Sequence, residues 1–580
     1  MAQANWQHQH GGSAKAETLC NQILAREPGH VHALNLLGLI MQAGGRHKAA
    51  AKTFERAVAS DPANAACRYN LANSYQALGR VSEAAEHFTK AIAFGAHQNN
   101  TEQLVLQSPV IAACIDVIET QRPATTATTP IFSRAIWQGL ASDIFLRCAL
   151  SSVLIRSVEI ERVLTLMRAA LLDFAYSHFS NAAAFDTDLV PLFTSVALQC
   201  FINEHVFAQS DEETRQSHWL RDLLSRKLAA GDDIVPPLLA AVAAYFPLHT
   251  LPQARALAER APEISADLIR QALREPLQEI EDRRSIPALT VVDDRVSRQV
   301  MQQYEQNPYP RWTVEPFAAL AADGDISPAS EAADASSAGA DILIAGCGSG
   351  QHAYEIAWRF PQARVLAIDI SLPSLAYARR KTREAGLNNI EYAKADILEL
   401  AALGRSFDRI EAVGVLHHLA DPEHGWRILL SLLRSQGEMR VGLYSEAARR
   451  SIAGVRAFIA ARAYQATAPD IRQCRQDVLR GYQERGWLKV IESADFYSMS
   501  GCRDLLFNVV EHRFTIPRIK AFLDRQNLSF LGFATEPWVA KKFQEQYGEA
   551  ACTDLDRWDA FEASHPQSFR YMYVFTTRKA

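Results

Sequence analysis

A chain of 580 residues, 48% hydrophobic and 22% charged, is too long for one core, and its length suggests about three or four domains. A net charge near −5 lacks the basic excess of a nucleic-acid surface, so no nucleic-acid partner is expected. Nine cysteines without a C-x-x-C pair argue against a zinc or disulfide framework and fit a reducing, cytoplasmic setting with no metal. The opening MAQANWQHQHGGSAKAE has no basic-then-apolar signal pattern, and the apolar run IVPPLLAAVAAYFPL (234–248) is too short and proline-broken to span a bilayer.

Residues 15–95 contain a repeat. At a shift of 34, Leu37 meets Leu71, Gly45 meets Gly79, Ala50 meets Ala84, Phe54 meets Phe88 and Ala57 meets Ala91. One step upstream, Ala16 and Pro28 match Ala50 and Pro62. The period, with small residues where helices cross and a proline closing each pair, resembles the tetratricopeptide repeat. About two and a half repeats are too few to bury their own faces, so the array is expected to pack on the helices after it. As a function it offers a groove for a protein partner or a scaffold for assembly.

Residues 99–295 read as an all-helical middle domain, with apolar residues three and four apart in SRAIWQGLASDIFLRCALSSVLI and IERVLTLMRAALLDFAYSHF. QRPATTATTPIF is a loop, and His205 and His218 are read as satisfied core or surface groups. Residues 296–340 hold NPYPRW and then ADGDISPASEAADASSAGAD, a small, acidic run that reads as a connector. Beyond it strand and helix patterns alternate, predicting an α/β domain with a mostly parallel sheet over 341–580 and an insertion at about 445–527.

That domain opens on ILIAGCGSGQHAYEIA (342–357), a strand, a glycine turn and a helix. The G-x-G-x-G spacing of Gly346, Gly348 and Gly350 differs from the dinucleotide fingerprint, whose third glycine lies one position later. A second strand, ARVLAIDIS, ends in Asp369 and Ile370, where a carboxylate can accept from both hydroxyls of an unphosphorylated ribose. NAD and S-adenosylmethionine both satisfy that condition. A third strand, IEYAKAD, ends in Asp396, placed to accept from an adenine amino group while Ile397 covers the ring. A fourth runs FDRIEAVGVLHHLADP and turns at Val415 to Leu419.

In this order the four motifs resemble the class I S-adenosylmethionine-dependent methyltransferases. The resemblance implies a Rossmann-like domain with an antiparallel last strand, to which LSFLGFA (528–534) and SFRYMYVFTTR (568–578) correspond. It implies S-adenosyl-L-methionine as cofactor, with Gly346, Gly348 and Gly350 lining the methionine part, Asp369 holding the ribose and Asp396 meeting the adenine beside Ile397; Cys347, Ile370, Val415 and Tyr309 join them as cofactor-binding residues. Tyr309 and Trp312 are placed to fold over the cofactor, or to pin the helical part. The family often carries an acid two residues before the first glycine; here that residue is Ile344.

Candidate bases are His417 and His418, of which only one faces the methyl group if the segment is extended, and His512. The insertion is where this family builds acceptor pockets, which points to Tyr497, Glu511, His512 and Arg513; Thr515 and Pro517 of EHRFTIP are otherwise helix-capping residues. NPYP has the wrong order for an amino-directed DNA methyltransferase. Repeats, helical middle, NPYPRW and methyltransferase together resemble bacterial repeat-fused methyltransferases. Three functional classes remain: a methyltransferase for a small molecule or saccharide, a protein methyltransferase docking its target on the repeats, and a non-catalytic scaffold.

Overall fold

The computed structural model describes residues 1, 3–4, 13–95, 100–120, 132–260, 265–313 and 339–579. Most of the expected loop at 121–132 and of the acidic run at 322–341 lies outside them. The described chain forms two compact units, one reaching to Arg274, the other taking in Glu275–Trp312 and the residues from 339 onward. Residues 275–295, read from sequence with the helical middle, fall in the second unit.

The first unit is helical. Helices α1 (Ser13–Arg26), α2 (Val31–Ala43), α3 (His47–Ser60), α4 (Ala65–Ala77) and α5 (Val81–Gly95) follow the repeat register. Every recurring apolar position is buried: Leu37 and Leu71, Ala50 and Ala84, Phe54 and Phe88, Ala57 and Ala91. The caps recur as well, His30 accepting from the Ala33 N–H and Asn64 from the Cys67 N–H, again 34 residues apart. Gly45 and Gly79 turn the chain between paired helices at φ +71° and +73°, in open space. Gly45→Ala or Gly79→Ala is therefore expected to lower stability by about 1 kcal/mol each through backbone strain alone, read as a lower urea midpoint of the full chain.

The array does pack on the helices after it. Phe145, from Ile144–Ser152, lies 5.2 Å from the Tyr69 ring and 5.3 Å from Phe88. Beside them a cavity of about 240 Å³ is lined by Ala66, Tyr69, Asn70, Ile92 and Leu104. Farther on, Val190–Ile202 is buried at every position but Pro191, and buried Arg168 is held by Glu213 at 2.7 Å. His205 donates to the Ala243 carbonyl (3.0 Å) and His218 to that of Thr214 (2.7 Å), satisfied as expected. Among the described residues no helix is long and apolar enough to cross a membrane.

The second unit begins with helical segments that include α6 (Arg295–Gln306). It continues through β1 (Asp341–Ala345), α7 (Gln351–Arg359), β2 (Arg364–Asp369), α8 (Leu372–Glu384), β3 (Ile390–Lys394), β4 (Phe407–Val413) and β5 (Leu433–Tyr444). A helical insertion with α9 (Met499–Phe507) precedes β6 (Leu528–Phe533) and β7 (Met572–Lys579). The strands form one sheet in the order β3-β2-β1-β4-β5-β7-β6. β1 to β5 pair in parallel, and β7 runs antiparallel between β5 and β6. From Ile342 to Ala345 β1 is apolar because both faces are covered: Leu343 and Ala345 join the core on one side, Ile342 and Ile344 that on the other. The chain leaves β1 toward β2 and later returns on the other side as β4, so a crevice opens at the carboxyl ends of these strands, where such sheets take ligands.

Candidate active site

The glycine turn sits at that crevice. Ile368 accepts from both the Gly346 and Cys347 N–H groups at 2.9 Å, which fastens the turn to β2. Gly346, Gly348 and Gly350 all have positive φ. A Cβ on Gly346 would lie 2.4 Å from Val415, one on Gly348 2.6 Å from the Tyr309 carbonyl oxygen, and one on Gly350 2.4 Å from the Ala378 Cβ. The turn is thus glycine for both conformation and close approach.

Asp369, at the end of β2, accepts from the Gly348 N–H with Oδ2 and from the Ser371 N–H with Oδ1, each at 2.9 Å. Burial pushes its carboxyl up, and the backbone N–H groups of Ser371, Gly348 and Ile370 only partly offset this. A carboxylate offers about four acceptor positions, so room remains for ribose hydroxyls. The neighbouring strand continues with Ala395, whose N–H donates to the Asp369 carbonyl at 3.0 Å, and then Asp396. Asp396 is buried; Oδ1 accepts from the Leu398 N–H at 3.0 Å, whereas Oδ2 has no hydrogen-bond partner among the described residues. A buried, unmatched acceptor beside a ribose-binding carboxylate fits the amino group of adenine. Ile397 is buried next to it, and Cys347 is a buried thiol whose pKa burial drives well up.

Two elements outside the sheet complete the cradle. NPYPRW lies on the turn: Ser349 donates its N–H to the Tyr309 carbonyl (3.2 Å) and its hydroxyl to the Pro310 carbonyl. The Trp312 indole N–H donates to the Ser349 carbonyl (3.0 Å), and the Tyr377 hydroxyl to that of Trp312. Trp312 therefore pins the segment, while Tyr309 is placed on the turn itself. The stretch before α6 extends the open edge of β3: Lys394 donates to Pro287 O and Leu289 to Lys394 O, both at 2.8 Å, and the Thr290 hydroxyl accepts from the Asp396 N–H. Nothing local in the sequence of 286–290 marks it as an edge strand.

Ile344 stands in place of the acid expected before the turn, and an acid lies beside it on the next strand. Its register partner on β4 is Glu411, buried and held by Arg409 (2.6 Å) and His352 (3.0 Å). Burial opposes a charge on His352, but Glu355 and Glu411 outweigh it and push the imidazole up to about 9.

The strand-four histidines do not point apart, because Leu416–His418 forms a 3-10 turn instead of an extended segment. Their rings are 4.4 Å apart, and His417 stacks on Tyr444 at 3.6 Å. His417 is fully buried with both ring nitrogens unpartnered, and burial, then His418 and Arg449, drives its pKa well down. His418 Nδ1 meets the Val510 carbonyl at 2.8 Å, so that nitrogen carries the proton and Nε2 faces the Asn508 amide. His512 is tied to them through its backbone N–H, which donates to the His417 carbonyl. Glu511 is clamped by Arg449 at 2.7 and 3.1 Å, and that guanidinium lies 3.6 Å over the other side of Tyr444. Tyr497 is buried with its hydroxyl on the Ile491 carbonyl, Arg513 is exposed, and Thr515 caps the helix beginning at Ile516.

Sequence reasoning missed two acids in this cleft. Asp495 accepts from the Tyr309 hydroxyl at 2.8 Å, and Asp504, on α9, accepts from the Tyr304 hydroxyl at 2.5 Å and the Asn508 amide at 3.0 Å. Burial and the charge of Asp504 push Asp495 up to about 6.

A sheet of this order, with a glycine turn at its switch point and acids closing two neighbouring strands, defines a class I, S-adenosylmethionine-type methyltransferase domain. Residues 342–437 match the methyltransferase domain family, so the chain carries such a domain. Residues 10–91 match the family described as anaphase-promoting complex, cyclosome, subunit 3, at the repeats. An uncharacterised Synechococcus protein is 38% identical over 112 residues, 19% of this chain and 27% of that protein. Trans-aconitate 2-methyltransferase of Deinococcus radiodurans is 34% identical over 102 residues, 18% of this chain and 37% of that enzyme. The chain thus spans well under two thirds of the length of these curated relatives. Among solved structures, PKMT2 from Rickettsia typhi in complex with AdoHcy aligns over 42% of this chain and 49% of that one, at 18% identity and a TM-score of 0.32.

Proposed function

We propose that the protein is an S-adenosylmethionine-dependent methyltransferase of the cytoplasm. The observation that carries this reading is the pairing of Asp369, hydrogen-bonded to the glycine turn, with the unmatched Oδ2 of Asp396 one strand away. Gly346, Gly348 and Gly350, with Val415 against Gly346, would lie at the methionine part, Asp369 at the ribose with Ile370 next to it, and Asp396 and Ile397 around the adenine. When bound, the cofactor supplies an activated methyl group on a sulfonium. The chain then aligns the acceptor and excludes water, for which the stacked His417, Tyr444 and Arg449 and the overlying Tyr309 form a dense wall. The neutral imidazole of His417 is positioned to orient the acceptor.

Calorimetry of the full chain with S-adenosylmethionine, S-adenosylhomocysteine and NAD tests this. Binding of the first two with no heat from NAD is expected; preference for NAD, or no binding at all, overturns it and leaves the scaffold reading.

For the acceptor, a small molecule or saccharide is favoured, and the repeats serve docking or assembly. A protein acceptor held at the repeats is the second reading, favoured by the cavity beside Tyr69 and Phe145. Ala66→Trp, at the exposed rim of that cavity, separates them: loss of labelled protein bands in a lysate supports docking, and unchanged labelling of a small acceptor supports the first reading. The finer boundaries at 98/99, 295/296 and 340/341 belong to this proposal.

A further inference from the structure

Two aspartates and a carbonyl oxygen come together in the cleft beside the glycine turn. Tyr309 spans it, with its carbonyl on the turn at Ser349 and its hydroxyl donated to Asp495. Tyr304 does the same one turn of α6 earlier: its carbonyl accepts from Ser371 beside Asp369, and its hydroxyl donates to Asp504. Asp495 is wedged against α9, where a Cβ on Gly501 would meet its backbone at 2.6 Å. The nearby guanidiniums of Arg449 and Arg456 go to Glu511, at 2.7 and 3.8 Å. The two aspartates are left with phenols, a serine hydroxyl and an amide, none of which cancels charge.

An independent observation points the same way. Asn508 is buried, and its Oδ1 has no hydrogen-bond partner. Its amide cannot be reversed, because Nδ2 faces the Asp504 carboxylate at 3.0 Å and an oxygen there would be repelled. A buried carbonyl oxygen without a donor, beside two carboxylates whose nearest guanidinium, Arg449, is hydrogen-bonded to Glu511 instead, calls for a ligand rich in N–H groups and positively charged. Tyr304, Tyr309 and Asp495 are each only half-buried, so the cleft admits one.

We propose that the methyl acceptor is an amine, taken up as an alkylammonium group between Asp495, Asp504 and Asn508, with Asp495 removing its proton. This rests on the methyltransferase reading. In the step, an N–H bond breaks and an O–H bond forms on Asp495. The freed nitrogen pair then forms the N–C bond while the carbon–sulfur bond of S-adenosylmethionine breaks, its electron pair remaining on sulfur, and Asp495 releases the proton to water. The tyrosine faces add attraction for the cation before it is deprotonated.

The test uses the full chain saturated with S-adenosylhomocysteine, so that nothing turns over. Phenethylamine, phenethyl alcohol and 3-phenylpropionate, matched except at the polar end, are titrated calorimetrically, with Nα-acetyl-lysine methylamide as the peptide-like source of the same group. One of the two amines is expected to bind at least tenfold tighter than the alcohol, with the carboxylate excluded. Asp495→Asn and Asp504→Asn, each checked for unchanged affinity for S-adenosylhomocysteine, should bring amine and alcohol within about twofold. Tighter binding of the lysine derivative assigns a protein acceptor, and of phenethylamine a small one. An alcohol or carboxylate bound as tightly as the amines, or a preference surviving both substitutions, overturns the proposal. Absence of S-adenosylhomocysteine binding instead defeats the methyltransferase reading, which the saturation step reports separately.

Discussion

Asp369→Ala is expected to weaken S-adenosylhomocysteine binding by about 10- to 150-fold, that is about 1.5–3 kcal/mol. The side chain has two duties. It holds the Gly348 and Ser371 N–H groups, so its loss frees the turn, and its remaining lone pairs face the place where ribose hydroxyls would lie. Both effects act on binding more than on folding, because burial already disfavours the charge on this carboxyl. Calorimetry beside a melting curve separates them: a large drop in affinity with a melting temperature within a few degrees is the expected pattern. Equal affinity of wild type and variant would remove Asp369 from the ligand site, and with it the reason for assigning an unphosphorylated ribose there. Asp396→Asn should leave the fold intact, since Oδ1 still caps Leu398, but weaken binding too, because the new amide would set a donor against the adenine amino group.

The sheet was legible because its information is local. Apart from β5, which opens on the polar LRSQGE, the strands are short apolar or alternating runs, and the glycine turn, Asp369, Asp396 and the turn at Val415 sit at strand ends that the runs themselves mark. The repeats were legible because five positions recur in register. What escaped depends on segments far apart in the chain. Thr290 meets Asp396 across more than a hundred positions, and Tyr309 meets Asp495 across almost two hundred. Glu411 lies beside Ile344 only because β1 pairs with β4 in one particular register. The histidines drew attention by their type, yet the acids with unmet partners lie in a helical insertion whose sequence, SADFYSMSGCRD, carries no motif. There, function shows as an uncompensated negative charge that only the fold reveals.

That charge makes the second prediction counterintuitive: Asp495→Asn should slow methyl transfer by at least about 100-fold, as loss of a proton acceptor does, and yet stabilise the protein. Asp495 is ringed by Asp504, Tyr309, Tyr444, Tyr571 and Arg449, and its carboxyl is pushed from 3.8 to about 6 by burial and by Asp504. The folded chain therefore binds this proton more tightly than the unfolded chain, so stability from this group is full at low pH and declines as pH rises from about 4 to about 6. At neutral pH the fold carries a charge it disfavours. Two pKa units correspond to at most about 3 kcal/mol, and access of water to a half-buried carboxylate reduces this to about 1–3 kcal/mol. Asparagine keeps an acceptor for the Tyr309 hydroxyl and carries no charge at any pH. The variant should thus melt higher at pH 7.5, with roughly half that gain at pH 5, where the wild-type group is largely protonated when folded. A lower melting temperature, or a gain independent of pH, would mean that Asp495 is already neutralised by a partner in the fold; it would then be a structural residue, with no proton to take.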